Sequence, residues 1–407
     1  MDLRSNQLTG KIPIQICASM GNLVHLYLAG NYLSGEIPGS LAELPSIQTL
    51  SIVTTLADEI PAALGNLSSL LFLSLNDNML SGVIPSSLGK LTSLIGLDMS
   101  QNMLSGTIPS SLGQLHRLSF LAMHYNNLSG LTPDPIWNIS SLTLFFVTSN
   151  KLSGMLPTNA FDTLPHMQEV YMAYNMFHGN MPASVANASN ISILSFAGNS
   201  FSGVVPPEIG RLRNLNRLEL LETLLQAKEP NDWRFMTALT NCTNLQIVEM
   251  ASCKFGGVLP DSVSNLSSLL VYFSIEDNTI SGGIPKDIGN LISLESLLLS
   301  NNSLTGSLPS SFSMLRILHR LTLDNNNLSG SLPLTIGNLT QLTNLELCDN
   351  AFGGTIPSTL GNLTKLFDLK LSHNNFIGPI PAEIFSIPTL SKTLDVSHNN
   401  LEGSVPK

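Results

Sequence analysis

The sequence predicts an α/β repeat solenoid, with short parallel strands stacked coil upon coil. Three observations carry that expectation. The first is a motif, written in Leu321 to Pro333 as Leu-Thr-Leu-Asp-Asn-Asn-Asn-Leu-Ser-Gly-Ser-Leu-Pro. With Asn326 as its marker, Leu321 and Leu323 come before and Leu328, Gly330 and Pro333 after; the same frame fits Leu26, Leu28, Asn31, Leu33, Gly35 and Pro38, and again Leu369, Leu371, Asn374, Phe376, Gly378 and Pro381. The second is the period. Marker positions fall at 6, 31, 55, 78, 102, 126, 150, 175, 199, 223, 253, 278, 302, 326, 350, 374 and 399, seventeen copies with steps of 23 to 25 residues and one of 30. The third is the Leu-x-Leu alternation of period two, which reads as a short strand with both leucines facing inward. A single coil cannot bury its apolar face alone, so stacking must supply the core.

Each conserved-looking position of the frame has a physical role. Where the strand ends, the chain turns inward and would bury unpaired backbone groups. A side-chain amide, holding both donors and acceptors, can satisfy them and link adjacent coils. The expected ladder comprises Asn31, Asn78, Asn102, Asn126, Asn150, Asn175, Asn199, Asn278, Asn302, Asn326, Asn350, Asn374 and Asn399. The glycine after it permits a backbone that β-branched residues resist, and the proline fixes φ without needing an N–H partner.

Leu-x-x-Leu-x-Leu-x-x-Asn-x-Leu at this period is the leucine-rich repeat signature. The extension Leu-x-Gly-x-Ile-Pro-x-x-Leu-Gly, clear at Leu104 to Gly113, resembles the plant type of that repeat across essentially the whole chain. The resemblance implies a twisted right-handed superhelix. Strands spaced roughly 4.8 Å apart would give a strand face on the order of 80 Å long.

Composition narrows the function. Length alone would suggest two or three domains, but the unbroken repeat argues for one, residues 1–407. Charged residues are 11% of the chain and the net charge is −10, which argues against nucleic acid, a partner that selects a basic stripe. No apolar run is long enough for a membrane span. Met1 already lies inside the first repeat and Lys407 follows the last proline, so the expectation is a slice without signal peptide, anchor or terminal caps, although solenoids need caps.

Cys17, Cys242, Cys253 and Cys348 lack tight paired spacing. Buried free thiols and a Cys242–Cys253 bridge both remain open, since connectivity cannot be read from sequence. Asn-x-Ser/Thr acceptors begin at Asn66, Asn127, Asn138, Asn187, Asn190, Asn241, Asn265, Asn301, Asn327, Asn338 and Asn362. The repeat itself supplies Gly-Asn-Leu-Ser/Thr and inflates that number. Asn66, Asn138, Asn265, Asn338 and Asn362 are the glycosylation candidates, placed away from the strand, and they point to the secretory pathway.

Three stretches depart from the rule. Around residues 50–61, one residue is deleted between the marker Thr55 and Leu56, which predicts a local distortion. Leu131-Thr132-Pro133 replaces the usual x-Ile-Pro and predicts an irregular turn. The long step after Thr223 holds an insertion at 224–240, including Gln226-Ala-Lys-Glu-Pro-Asn-Asp-Trp-Arg-Phe235. Per-repeat insertions are often functional. The structural alternative is a loop leading into a helix near Phe235 to Thr240, with Trp233 packed as a lid. Together with Leu-Thr-Asn-Cys-Thr-Asn-Leu-Gln, this stretch resembles the ectodomains of plant receptor-like kinases related to rice bacterial-blight resistance receptors and, more distantly, flagellin receptors.

No catalytic motif stands in the chain: Gly-x-Gly-x-x-Gly, Gly-x-Ser-x-Gly, a Walker loop, Cys-x-x-Cys and His-Glu-x-x-His are all missing, and His319-Arg320 lacks the continuation of a kinase catalytic loop. The expectation is a non-catalytic chain with no cofactor and no metal. Binding should use the outward positions six, four, two and one before each marker. In three adjacent coils these hold Phe120, His124, Tyr125, Phe146, Tyr171 and Tyr174, residue types that anchor interfaces. The alternative is that some of these rings merely pack on one another. Further along, the same positions carry Glu219, Glu222, Glu249, Glu276, Asp277, Asp324, Glu346 and Asp349. That pattern suits a peptide with apolar anchors and a basic segment.

The leading functional expectation is an ectodomain fragment of a receptor-like kinase, on the extracellular side of the plasma membrane, that recognises a peptide or microbial pattern. The resemblance also implies a co-receptor kinase ectodomain docking near the C-terminal coils. The alternatives are a soluble inhibitor or receptor-like protein without a kinase, as in polygalacturonase-inhibiting proteins, and a non-functional truncated copy.

Overall fold

From the second coil on, the apolar residue five before the marker, most often leucine, decides the layering. It sits at the centre of a three-residue strand, points inward, and is stacked directly on its counterpart in the next coil. The computed structural model describes residues 1–406, and for Cys17 and Ala18 the backbone alone. Two compact units make up the chain, Met1–Phe201 and Ser202–Lys407.

In the first unit, three-residue strands from His25–Tyr27 to Ile193–Ser195 pair in parallel, each with its sequence neighbour. Their centres, Leu26, Leu50, Leu73, Leu97, Leu121, Phe145, Val170 and Leu194, are in register and buried. The second unit repeats the arrangement from Arg217–Glu219 to Thr393–Asp395. Fully burying one such leucine is worth about 1.5–3 kcal/mol.

A second layer of short parallel strands lies beyond the marker in each coil, a feature the apolar alternation did not reveal. In the first unit Asn127–Leu131 pairs with Lys151–Gly154, which pairs with Met176–Asn180. In the second the ladder runs from Leu224–Ala227 and Lys254–Val258 to Asn400–Leu401. After it, the repeat proline precedes a short 3-10 helix, as at Pro109 before Ser110–Gln114 and Pro333 before Leu334–Asn338.

Side-chain amides join the coils. Asn326 Nδ2 donates to Leu323 O in its own coil and to Leu299 O in the preceding one, both at 3.0 Å, and its Oδ1 accepts the Leu304 N–H at 2.9 Å. The same three bonds recur at Asn31, Asn126, Asn175 and Asn374. Where Cys253 replaces the amide, its thiol reaches back to Leu220 O at 3.1 Å, and Thr223 donates to that same carbonyl at 2.8 Å. Cys242, Cys253 and Cys348 are free, so no Cys242–Cys253 bridge forms. The Cys17 side chain lies outside the described residues. Burial pushes the Cys242 thiol up to about 11.

The departures resolve differently. In the shortened coil, Thr55 Oγ1 donates to Leu33 O at 2.7 Å in place of the missing amide. Asp58 there takes φ 82°, the left-handed conformation that glycine holds at the matching position of other coils. The Leu131-Thr132-Pro133 turn is regular, contrary to expectation: Pro133 has φ −63° and ψ 138° and opens a 3-10 helix like its counterparts. What differs is Thr132, buried where neighbouring coils place Ile84 and Ile108, with its hydroxyl unpaired among the described residues.

The insertion is structural. Leu224–Ala227 joins the second strand layer, and Arg234–Leu239 is an α-helix. Between them the Asp232 carboxylate accepts the N–H groups of Lys228 and Glu229, both at 3.0 Å, which lowers its pKa. Trp233 is buried against Phe235 and Phe255, and its Nε1 donates to Gly256 O at 3.0 Å. Gly257 has φ +68°, and a Cβ there would collide with the Lys228 carbonyl.

Three stability changes are expected. Thr132→Val keeps the shape but removes an unpaired buried hydroxyl, so it should stabilise by about 1 kcal/mol; a lower urea midpoint would contradict this. Asp58→Gly relieves a left-handed non-glycine residue and should add about 0.5–1 kcal/mol in the same assay. Trp233→Ala should cost about 3–5 kcal/mol, read as lost amide-exchange protection across 224–258; full protection there would show that the insertion is not held by its lid.

Candidate ligand-binding face

The residues flanking each buried strand centre point away from the core, so the strand register assembles them into columns. In the unit Met1–Phe201, Phe120, Ala122, Leu144, Phe146, Glu169 and Tyr171 occupy these flanking positions on paired strands. Phe120 and Phe146 meet edge to face at 5.7 Å and 80°, and Phe146 and Tyr171 at 5.0 Å and 84°. His124 joins them, 6.3 Å from Phe146 and 5.5 Å from Tyr125. Such pairs hold their rings in fixed orientations.

Two tyrosines behave differently from one another. Tyr125 and Tyr174 precede the ladder amides, have φ 55° and 54°, and are half exposed. Tyr125 borders a depression of about 360 Å³ shared with His124, Phe146, Thr148, Glu169 and Tyr171. Tyr174 lies outside that depression, with its ring against Gly198. Burial lowers the pKa of His124, with Asp98 opposing, so the imidazole is neutral at neutral pH.

The strip extends past the three coils singled out from sequence. Phe72, 46% exposed, lies on the strand two coils earlier. Between them is Gly96, where a Cβ would stand 2.9 Å from Phe72 Cδ1 and 3.8 Å from Phe120 Cδ1. The signal was present, since Phe72 holds the same frame position as Phe120, but a glycine interrupts the run. Glu169 and Thr148 were passed over because only ring-bearing positions were gathered. His25 and Tyr27, stacked at 6.1 Å with Arg4 over the tyrosine ring, occupy the same positions nearer the start.

The carboxylates lie in the unit Ser202–Lys407. Glu219 is 3.1 Å from Arg217 Nε. Glu249 and Glu276 are half buried, and burial raises both pKa values; Glu219 adds to the first, while the Thr322 hydroxyl, 3.0 Å from Glu276 Oε1, opposes the second. Asn301 and Ser252 donate to Asp277, and Ser300 to Asp324. Towards the end of this unit the charge alternates: Lys370 pairs with Glu346 at 2.8 Å, and Lys392 with the fully buried Asp368 at 2.7 Å. The acidic run is therefore strongest from Glu219 to Asp324, and reading acidic positions alone missed both lysines.

Asn66, Asn138, Asn265, Asn338 and Asn362 each end a 3-10 helix, and all are exposed. Among the described residues no group of three or more His, Cys, Asp or Glu could hold a metal ion, and no helix is long and apolar enough to cross a membrane.

Comparison with known proteins places this geometry. The family model described as leucine-rich repeat region matches residues 1–228 and 225–378. The receptor kinase-like protein Xa21 of Oryza sativa subsp. japonica is 51% identical over 92 residues, 23% of this chain and 9% of that protein. The solved ectodomain of the Arabidopsis thaliana membrane receptor kinase GASSHO1/SCHENGEN3, in complex with CASPARIAN STRIP INTEGRITY FACTOR 2, has a TM-score of 0.85 and 32% identity, covering 98% of this chain and 50% of that one. The Arabidopsis receptor kinase HAESA, solved with the peptide hormone IDA and the co-receptor SERK1, has a TM-score of 0.82 and 29% identity, covering 100% and 74%. The chain thus matches under a tenth of its curated relative and about half of the first solved ectodomain. It belongs to the leucine-rich repeat family, in the form found in plant receptor kinase ectodomains.

Proposed function

We propose that this chain is the ligand-recognition part of a receptor-like kinase, working on the extracellular side of the plasma membrane and binding a peptide or microbial pattern on its strand face. The observation that carries the reading is the aromatic strip. Phe120, Phe146 and Tyr171 stand partly exposed on paired parallel strands, and His124, Tyr125, Phe146 and Tyr171 line a depression beside them. Pre-fixed rings cost little entropy on binding, which is why such anchors dominate interfaces. Strips of this kind suit an extended chain, whose side chains step along successive coils. The solved relatives bound to peptide hormones support a peptide over a small molecule.

Tyr174 is a further ligand contact in the first unit, and Glu219, Glu249 and Glu276 give the second unit acidic ground for basic residues. Asn66, Asn138, Asn265, Asn338 and Asn362 would carry glycans on the helical side, where they leave the strands open. A co-receptor kinase ectodomain near the C-terminal coils is the further partner, supported by the co-receptor complex of HAESA. The repeat spacing supports reading residues 1–407 as one repeat domain.

Peptides selected from a random display library on the whole chain provide the test. Phe146→Ala combined with Tyr171→Ala should weaken the selected peptides by at least about thirtyfold. A control, Met314→Ser on an exposed 3-10 helix, should leave them unchanged. Equal binding by the double variant and the unaltered chain would sink the proposal.

A further inference from the structure

We propose that the depression bordered by His124, Tyr125, Phe146, Thr148, Glu169 and Tyr171 is a subsite for a cationic side chain, the guanidinium of an arginine in the bound peptide. The proposal rests on the peptide-binding reading above and adds the chemistry of one position within it. At about 360 Å³ the depression is at the small end of ligand sites, suited to one or two side chains rather than a whole cofactor.

Its polar lining includes several acceptors, one of them a carboxylate. Glu169 contributes a carboxylate that is in no ion pair among the described residues. His124 Nδ1 and Thr148 Oγ1 are buried and have no hydrogen-bond partner among the described residues. Buried polar atoms left unpaired are costly, and they are retained where a ligand completes them. Burial keeps His124 neutral, so its ring offers one nitrogen as an acceptor without repelling a cation. The lining holds neither lysine nor arginine, so an anionic group would meet Glu169 with nothing to offset it.

The walls select for the same ligand. Phe146, Tyr125 and Tyr171 present aromatic surface, and a cation is drawn to ring faces by the quadrupole. Arginine fits better than lysine because its planar fork stacks on rings while its N–H groups, five in all, reach several acceptors at once. A neutral aromatic anchor would fill the walls but leave Glu169, His124 and Thr148 unpaired.

Histidine-labelled whole chain, titrated with blocked tripeptides while the His124 resonances are followed by NMR, decides the matter. Acetyl-Gly-Arg-Gly-amide should shift His124 saturably. Replacing arginine by citrulline, which keeps the shape and removes the charge, should weaken binding by about fivefold or more. Glu169→Gln, an isosteric change at a half-exposed position, should weaken the arginine peptide by a similar factor. It should leave acetyl-Gly-Phe-Gly-amide unaffected. Citrulline or phenylalanine binding as well as arginine would overturn the proposal while leaving the peptide face intact. Arginine binding that ignores Glu169→Gln, or no arginine response at all, would also overturn it. The library test with Phe146 and Tyr171 judges the peptide face separately.

Discussion

The amide ladder is the interaction on which the rest depends. Each coil turns inward after its strand, and the turn buries carbonyl and N–H groups that water cannot reach. One asparagine satisfies a carbonyl of its own coil and, in the preceding coil, a carbonyl and an N–H, as Asn126 does with Met123 O, Met99 O and the Leu104 N–H. A hydroxyl such as that of Thr223 also donates and accepts, but it has one hydrogen, where the amide has two and so reaches a carbonyl in each coil. Because every ladder amide bridges two coils, the strand spacing is fixed by hydrogen bonds as well as by leucine packing. The outward columns inherit that spacing. The edge-to-face rings of Phe120, Phe146 and Tyr171 stand where they do because amides four to six residues away hold their strands in register.

This explains which parts were legible in the sequence. The period, the ladder and the inward leucines could be read because each is tied to one side-chain chemistry. Cys253 could be read too, since a thiol can donate to Leu220 O, though its sulfur is a weaker acceptor than an amide oxygen. The second strand layer escaped because Asn127–Leu131 and Lys151–Gly154 carry polar and glycine residues with no clear alternation; their pairing follows from stacking, not from local preference. The Leu131-Thr132-Pro133 turn was misjudged because proline alone sets its backbone, and swapping isoleucine for threonine changes burial rather than geometry. The insertion was legible in one respect: a tryptophan in a charged loop needs cover, and Phe255 with Gly256 supplies it.

The candidate site was legible in its rings and obscure in its polar partners. Frame positions placed Phe120, Phe146 and Tyr171 on one surface. Phe72 shares the frame position of Phe120, but Gly96 on the strand between presents no side chain, so the run reads as broken in the sequence. Sequence could not show which acids are free to act. Glu346 and Asp368 look like Glu169 in the sequence, yet lysines from neighbouring coils pair with the first two.

The two half-exposed tyrosines carry the argument one step further. The residue before the ladder amide is left-handed in coil after coil: Asp77, Gln101, Ser149, Ser252, Asp277, Asn325 and Asp349 all have φ between 52° and 55°. Those are mostly small polar side chains, which tolerate the region, and Gly30 and Gly198 occupy it freely. Rings stand there in four coils, as Tyr125, Tyr174, His373 and His398, and each costs energy relative to glycine or asparagine. Tyr125 and Tyr174 accept that cost in the coils that hold the aromatic strip, and Tyr125 frames the depression beside Glu169. Backbone preference and packing of the leucine core would both favour a smaller residue. His373 and His398 stack on one another at 4.0 Å, whereas Tyr125 turns its ring to the depression that Phe146 and Tyr171 also line.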